Sequence, residues 1–265
     1  MNVLWAIHRM RRGPRRLCKG LVLAAVMLGV TYPHLSLLPR AIRHAGNMDA
    51  LIDETAPELE PLRTELNASL ASIDEDAHSE RLSAVQKLVE ERIPYEWDWN
   101  TWGVVEYTPT VAEVIAQGRE DCDGQAVVAA SLLKGIGYEP RLVTDLRHVW
   151  VWTEHGETMS PGGAKLFDPT DDGRRFNLAS VVDWPISLAV GLAVFPIVRE
   201  LIVLAAVWLL GISPLSPRWT WALSLFLLAH GLLLIHVAGN PGRIVSWAVW
   251  LGLANVAAGL VVLWF

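Results

Sequence analysis

Two cysteines, Cys18 and Cys122, are all that the 265 residues contain. With so few, neither a disulfide framework nor a zinc-spaced set of Cys and His is possible. Acidic charge is nearly missing from both ends. All but one of the 28 acidic residues lie between Asp49 and Asp183, while 13 of the 22 basic ones fall between Arg40 and Arg175. The middle of the chain is therefore acidic, which argues against nucleic acid as a partner. A glycine-rich loop to cradle phosphate, an internal repeat and a low-complexity tract are also lacking. What is abundant is apolar surface: 52% hydrophobic residues, 13 tryptophans and a mean hydropathy of +0.31. That is too apolar for a soluble enzyme, and it points to a lipid bilayer as partner.

The apolar residues are segregated. A basic tail, residues 1–19, carries Arg9, Arg11, Arg12, Arg15, Arg16 and Lys19 ahead of an apolar run over 20–38. By the positive-inside rule the tail stays cytoplasmic and the run is an uncleaved anchor, which places the acidic middle of the chain on the extracytoplasmic, periplasmic side of an inner membrane. Residues 44–182 form a globular domain of ordinary size. Residues 186–265 are again apolar, interrupted at Ser213–Arg218 and Gly239–Arg243, and read as a membrane domain of about three helices. Trp219–Ala238 and Ile244–Phe265 are each long enough to cross roughly 30 Å of hydrocarbon. Ile186–Ile212 contains Pro196, Arg199 and Glu200, and it is expected to begin as an interfacial helix. Ionisable groups such as Arg199, Glu200 and His230 inside such segments mark either transport or binding sites or hydrogen bonds to neighbouring helices. Another membrane protein is a possible partner of these helices.

Within the globular domain one pentapeptide stands out, Glu120-Asp121-Cys122-Asp123-Gly124. Asp121 is a good N-cap, and the apolar spacing of residues 125–134 predicts a helix stopped at Gly135 and Gly137. The thiol of Cys122 then sits on the first helical turn, where unpaired N–H groups favour its ionised form. Alternation predicts strands over Arg141–Thr144, His148–Thr153 and Lys165–Asp168. A thiol, an imidazole from His148 and a carboxylate from Asp168 thus come from successive elements. In acyl chemistry His148 takes the thiol proton and later protonates the leaving amine, and a carboxylate fixes the imidazole tautomer. Asp168 is the candidate for that third role, with Asp171 and Asp172 as alternatives. Helix dipole and imidazolium together are expected to lower the Cys122 pKa from about 8.5 to roughly 4–7. The Cys122 backbone N–H and one side-chain donor, Tyr95, Trp97 or Trp102, would meet the oxyanion. Asp121 and Asp123 bracket the thiol as candidate ligands of a hard cation such as calcium. Two carboxylates are too few to make a site, so no metal and no cofactor are expected. Trp150 and Trp152 are core of a covered sheet or, alternatively, walls of a substrate channel. Residues 49–92 are expected to supply one or two helices that pack on this core.

At Glu91-Arg92-Ile93-Pro94-Tyr95, Trp102-Gly103, Tyr107, Thr108-Pro109, Glu113, Gly118, Asp121-Cys122-Asp123, His148-Val149-Trp150 and Phe167-Asp168-Pro169-Thr170 the chain resembles the transglutaminase-like superfamily. Within it, the closest likeness is to the bacterial transglutaminase-like cysteine peptidases. The resemblance covers approximately residues 80–172, about a third of the chain. It implies an α+β, papain-like core with a Cys-His-Asp triad that cleaves or transfers amides of a protein or peptide substrate. Members often carry an acidic residue and then Tyr after the Cys-acid pair, where this chain has Gly124 and Gln125. Hydrolysis is the default expectation, acyl transfer the alternative. A membrane-tethered binding or scaffolding module without turnover is a reading of a different class. A third takes the C-terminal helices as the working part, in transport or sensing.

Overall fold

The computed structural model describes residues 10–145, 147–162, 166–170, 173–176, 184–213 and 216–264, without the side chains of 167–170, 173–176 and 264. Contacts divide the chain into two units: His34–Asp183, and Met1–Pro33 together with Trp184–Phe265. Each has its own apolar interior. The fold is mixed, a helix-rich chain with a small antiparallel sheet.

The first described helix is α1 (Arg12–Thr31). It starts inside the basic flank and ends before Pro33, so the apolar run over 20–38 is not one helix. Proline lacks an N–H and restrains the residue before it to extended backbone. Residues beyond it start α2 (Leu38–Gly46), which belongs to the globular unit.

In that unit α3 (Glu60–Leu70) and α4 (His78–Arg92) present Leu62, Leu66, Val85, Leu88 and Val89 to a common core. A short α5 (Asp98–Thr101) precedes α6 (Val111–Gln117), which is opened by a capping box of Thr110 and Glu113 and closed by Gly118 at φ 67°. Next comes α7 (Cys122–Gly135), buried on every side from Asp123 to Leu133. A helix apolar all round is one that the rest of the domain wraps. Its Ala and Val side chains let α4 and the sheet approach closely. Strands β1 (Arg141–Thr144), β2 (Val149–Thr153) and β3 (Gly156–Thr158) form an antiparallel sheet in that order, with Thr144 opposite Val149 and Val151 opposite Thr158. A separate hairpin pairs β4 (Phe167–Thr170) with β5 (Gly173–Phe176), Asp168 opposite Arg175. Trp150 is fully buried and donates its indole N–H to Glu157, which makes it core. Trp152 is half-buried against the same core.

The other unit continues with α8 (Trp184–Val194), α9 (Ile197–Gly211), α10 (Arg218–Ala238) and α11 (Ser246–Trp264). Among the described helices, α10 and α11 are long and apolar enough to cross a membrane; α8 and α9 qualify only as a pair bent by 114° at Phe195–Pro196. Helices α10 and α11 form a hairpin close enough that a Cβ on Gly231 would lie 2.7 Å from the Gly252 carbonyl. Such close approach through small residues is how apolar helices associate in lipid.

Gly124 shows how tightly the start of α7 is held. A Cβ there would lie 2.0 Å from Glu120 Cγ and 2.9 Å from Pro109 Cγ, because the buried Glu120 side chain folds back over the first turn. Neighbouring Gln125 donates to the Ile93 carbonyl at 2.7 Å. These contacts supply a local reason for Gly124 and Gln125 at the two positions where the resembled family differs. Gly124→Ala is expected to destabilise the protein by about 1–3 kcal/mol, the usual range for overpacking. The urea midpoint of the full chain in detergent measures this, and Gly118→Asn, at an exposed helix end that tolerates left-handed backbone, serves as the mild control.

Candidate active site

Cys122 is the first residue of α7, half-buried, behind Asp121, whose carboxylate accepts from the Asp123 amide at 3.3 Å. The Val149 N–H is close enough to favour a Cys122 thiolate, so the thiol lies near the residue after His148. Helix start and strand start therefore converge, as the order of elements in the sequence suggests. The expected fall in thiol pKa is not what the structure shows. Burial, then the charges of Asp121 and Asp123, push the Cys122 thiol well above its ordinary value, and the Val149 N–H offsets only part of this.

His148 precedes β2 and is held from three directions. Its backbone N–H donates to Asp145 Oδ1 at 2.7 Å, its ring lies nearly parallel to Trp150 with centroids 6.3 Å apart, and its Nε2 lies 2.9 Å from the Met159 carbonyl. A carbonyl only accepts, so the hydrogen is on Nε2 and the neutral ring offers its lone pair at Nδ1. Asp121 is close enough for the His148 imidazolium to favour its ionised form. Met159 has φ 61°, the left-handed region, which costs an ordinary L-residue about 1–2 kcal/mol. Asp168 lies in β4, and its side chain lies outside the described residues, as do Asp171 and Asp172 altogether.

The three proposed oxyanion donors have different surroundings. Trp102 is committed elsewhere: its indole N–H donates to Glu120 Oε2 at 2.8 Å. Tyr95 is 47% exposed, its backbone bridged to Glu120, and its hydroxyl proton is held more tightly by burial and by the Cys122 and Asp121 charges. Trp97 packs edge-on against Tyr95 at 5.1 Å and stacks on Trp99 at 6.0 Å. Tyr95 is thus close enough to feel the thiol charge and is accessible to a ligand.

Two carboxylates that the sequence does not visibly join to this place complete an acidic cluster. One oxygen from each of Asp98, Glu120, Asp121 and Asp123 lies within 4.8 Å of the others, and all four residues are buried. Among the described residues, both oxygens of Asp123, 1% exposed, and Oδ1 of Asp98 have no hydrogen-bond donor. Burial first, and Asp121 second, push Asp98 up to about 10 and Glu120 up to about 7; Asp121 and Asp123 also rise. Four buried carboxylates in reach of one another, three of their oxygens without a donor, fit a hard divalent cation such as calcium. No signal near Cys122 marks Asp98, since intervening chain brings it there; Glu120 belongs to the pentapeptide that stands out, but the sequence assigns it no role.

In the apolar unit Glu200 is buried and sits 3.1 Å from His236 Nδ1, while Arg199 donates to the Val30 carbonyl at 3.3 Å. His230 stacks on Phe226 and lies 3.3 Å from Asn255 at an exposed face. The partner of Glu200 is thus His236, which the sequence does not distinguish from His230. Comparison with protein-family models, with curated proteins and with solved structures yields no match for this chain.

A raised carboxylate keeps its proton in the folded state, so its contribution to stability is present below the unfolded pKa near 4.5 and is lost as pH rises through the folded value. For Glu120 that window runs from about 4.5 to about 7. The full chain in chelator should therefore lose stability between pH 5 and pH 8. Added Ca²⁺ should restore it, by about 2.7 kcal/mol at a hundredfold excess over Kd, and more at pH 8 than at pH 5. Asp123→Asn should abolish the calcium shift, read as Tm by scanning calorimetry.

Proposed function

We propose that the globular unit is a transglutaminase-like thiol enzyme with a papain-like core, acting on protein or peptide amides through a thioester on Cys122. One observation carries the reading: the His148 ring is tied at Nε2 by the Met159 carbonyl, leaving Nδ1 as the acceptor, while the N–H of the adjoining Val149 is near enough to the Cys122 sulfur to favour its thiolate. In this mechanism Nδ1 takes the thiol proton, and the thiolate adds to the amide carbonyl. The Cys122 backbone N–H at the start of α7 and Tyr95 meet the oxyanion, and the imidazolium then protonates the leaving amine. Water hydrolyses the thioester; an amine in its place would give acyl transfer. Because the Met159 carbonyl already holds Nε2, a carboxylate from Asp168, the third member that the resemblance implies, would act on the imidazolium charge and not on the choice of tautomer. A cation held by Asp98, Glu120, Asp121 and Asp123 would supply the positive charge that opposes their effect on the thiol.

A second reading has a specific observation in its favour. The raised thiol pKa suits a membrane-tethered binding or scaffolding module that keeps the fold without turnover. The apolar helices α10 and α11 are compatible with a lipid bilayer in either case. With the basic flank of α1 on the cytoplasmic side, the globular unit would face the periplasm.

Alkylation separates the two readings. In an enzyme, iodoacetamide labels Cys122 of the calcium-loaded chain rapidly near neutral pH, and His148→Ala slows it at least about tenfold. Cleavage or transfer of a peptide amide would then fall by roughly 10³–10⁴-fold in both Cys122→Ala and His148→Ala, because members of one catalytic unit are not additive. A binding module labels slowly and indifferently to His148.

A further inference from the structure

We propose that the His148 imidazole is set for its task by a main-chain carbonyl, that of Met159, and that Gln86 is the positioning residue that fixes this carbonyl. The proposal rests on reading Cys122 and His148 as nucleophile and base.

The chain of contacts runs through three elements. Thr158 ends β3, paired with Val151, and its hydroxyl donates to the Leu82 carbonyl of α4 at 3.1 Å. The next residue, Met159, turns into left-handed backbone at φ 61° and is 8% exposed. No glycine or asparagine relieves that conformation, so neighbours must impose it. Gln86 supplies the restraint: its Oε1 accepts from the Met159 amide at 3.0 Å. The orientation of the Gln86 amide is itself fixed, because Nε2 donates to Glu90 Oε1 at 2.8 Å one turn along the helix. On the far side of the same residue, the Met159 carbonyl accepts from His148 Nε2 at 2.9 Å.

These contacts decide the chemistry of the ring. A neutral imidazole carries one hydrogen, and with that hydrogen on Nε2 the lone pair at Nδ1 is free to accept the thiol proton. When the S–H bond breaks and the Nδ1–H bond forms, the imidazolium keeps its Nε2–H bond to the carbonyl dipole, which stabilises the charge. The site then needs no carboxylate at Nε2, and Asp168 is dispensable for tautomer choice. Gln86 touches neither substrate nor sulfur and acts only through Met159.

The test uses the full chain in detergent, ¹⁵N-labelled at histidine, with the His148 resonances assigned from His148→Ala. The NMR shifts should show hydrogen on Nε2 in the wild type. Gln86→Leu should give a mixture of tautomers and slow iodoacetamide labelling of Cys122 by roughly 10- to 100-fold, the effect of a small misplacement at a reacting group. The exchanged pair Gln86→Glu with Glu90→Gln reverses donor and acceptor, keeps an oxygen facing Met159 and should restore both readouts. Asp168→Asn should leave the tautomer unchanged. Retention of wild-type tautomer and labelling in Gln86→Leu, failure of the exchanged pair to restore them in a folded protein, or a tautomer shift in Asp168→Asn would overturn the proposal. The tautomer is read without turnover, so labelling that is indifferent to His148 would sink the enzyme reading while the NMR result still judges Gln86.

Discussion

Four carboxylates cannot all be ionised in a protein interior within 4.8 Å of one another unless something positive joins them. Two unit charges 4 Å apart repel by about 4 kcal/mol at an effective dielectric of 20, and Asp98, Glu120, Asp121 and Asp123 present several such pairs. Either protons or a cation must balance them. The surrounding structure nonetheless goes to some length to hold them there. Trp102 clamps Glu120, the Tyr107 amide donates to Asp98, and Gly124 leaves room for the Glu120 side chain over the first turn of α7. Because Cys122 lies between two of these acids, the charge of the cluster and the ionisation of the thiol are a single coupled variable. Positive charge placed among the four acids would relieve their repulsion and lower the thiol pKa together.

The geometry around His148 has the opposite character. It depends on directional contacts: an amide that donates to the Asp145 carboxylate, a ring over Trp150, and a carbonyl at Nε2. Strand β2 fixes the position of the ring along the chain, since the register of Thr144 against Val149 leaves His148 just outside the ladder. Its orientation comes from the far strand and from α4, through Met159 and Gln86. Placing Cys122 and His148 at the ends of a buried helix and a paired strand puts both side chains on rigid elements.

How much of this is legible in the sequence depends on how far each signal reaches. The start of α7 at Cys122, the N-cap Asp121 and the two strands after it rest on residues within a few positions of one another, and the structure has them. Pro33 and Pro196 carry the information that the anchor run and the Ile186–Ile212 segment are broken, yet hydropathy summed over either stretch hides it. Asp98 reaches the cluster only through tertiary folding. Met159 gives no sign at all, because its left-handed backbone is imposed by Gln86 from another helix and methionine has no preference for it. The downward shift expected of Cys122 fails for a related reason. It counts the helix N-terminus and the imidazole, but not the buried acids that long-range packing adds.

The same physics explains why Glu200 is tolerated in an apolar unit. An ionisable group at the centre of a membrane helix carries a penalty of about 2.5–3.5 kcal/mol. Glu200 escapes the middle of a helix because the break at Pro196 restarts the chain, which puts this acid in the first turn of α9, where unpaired amides and the helix dipole favour negative charge. His236, from the last turn of α10, supplies the complementary group at 3.1 Å, where a helix C-terminus favours positive charge. Proline, acid and histidine therefore form one device: the bend creates the only kind of helix end at which the pair can be buried. Straightening the bend would strand the carboxylate in an unbroken apolar helix, and removing the carboxylate would leave His236 facing apolar side chains.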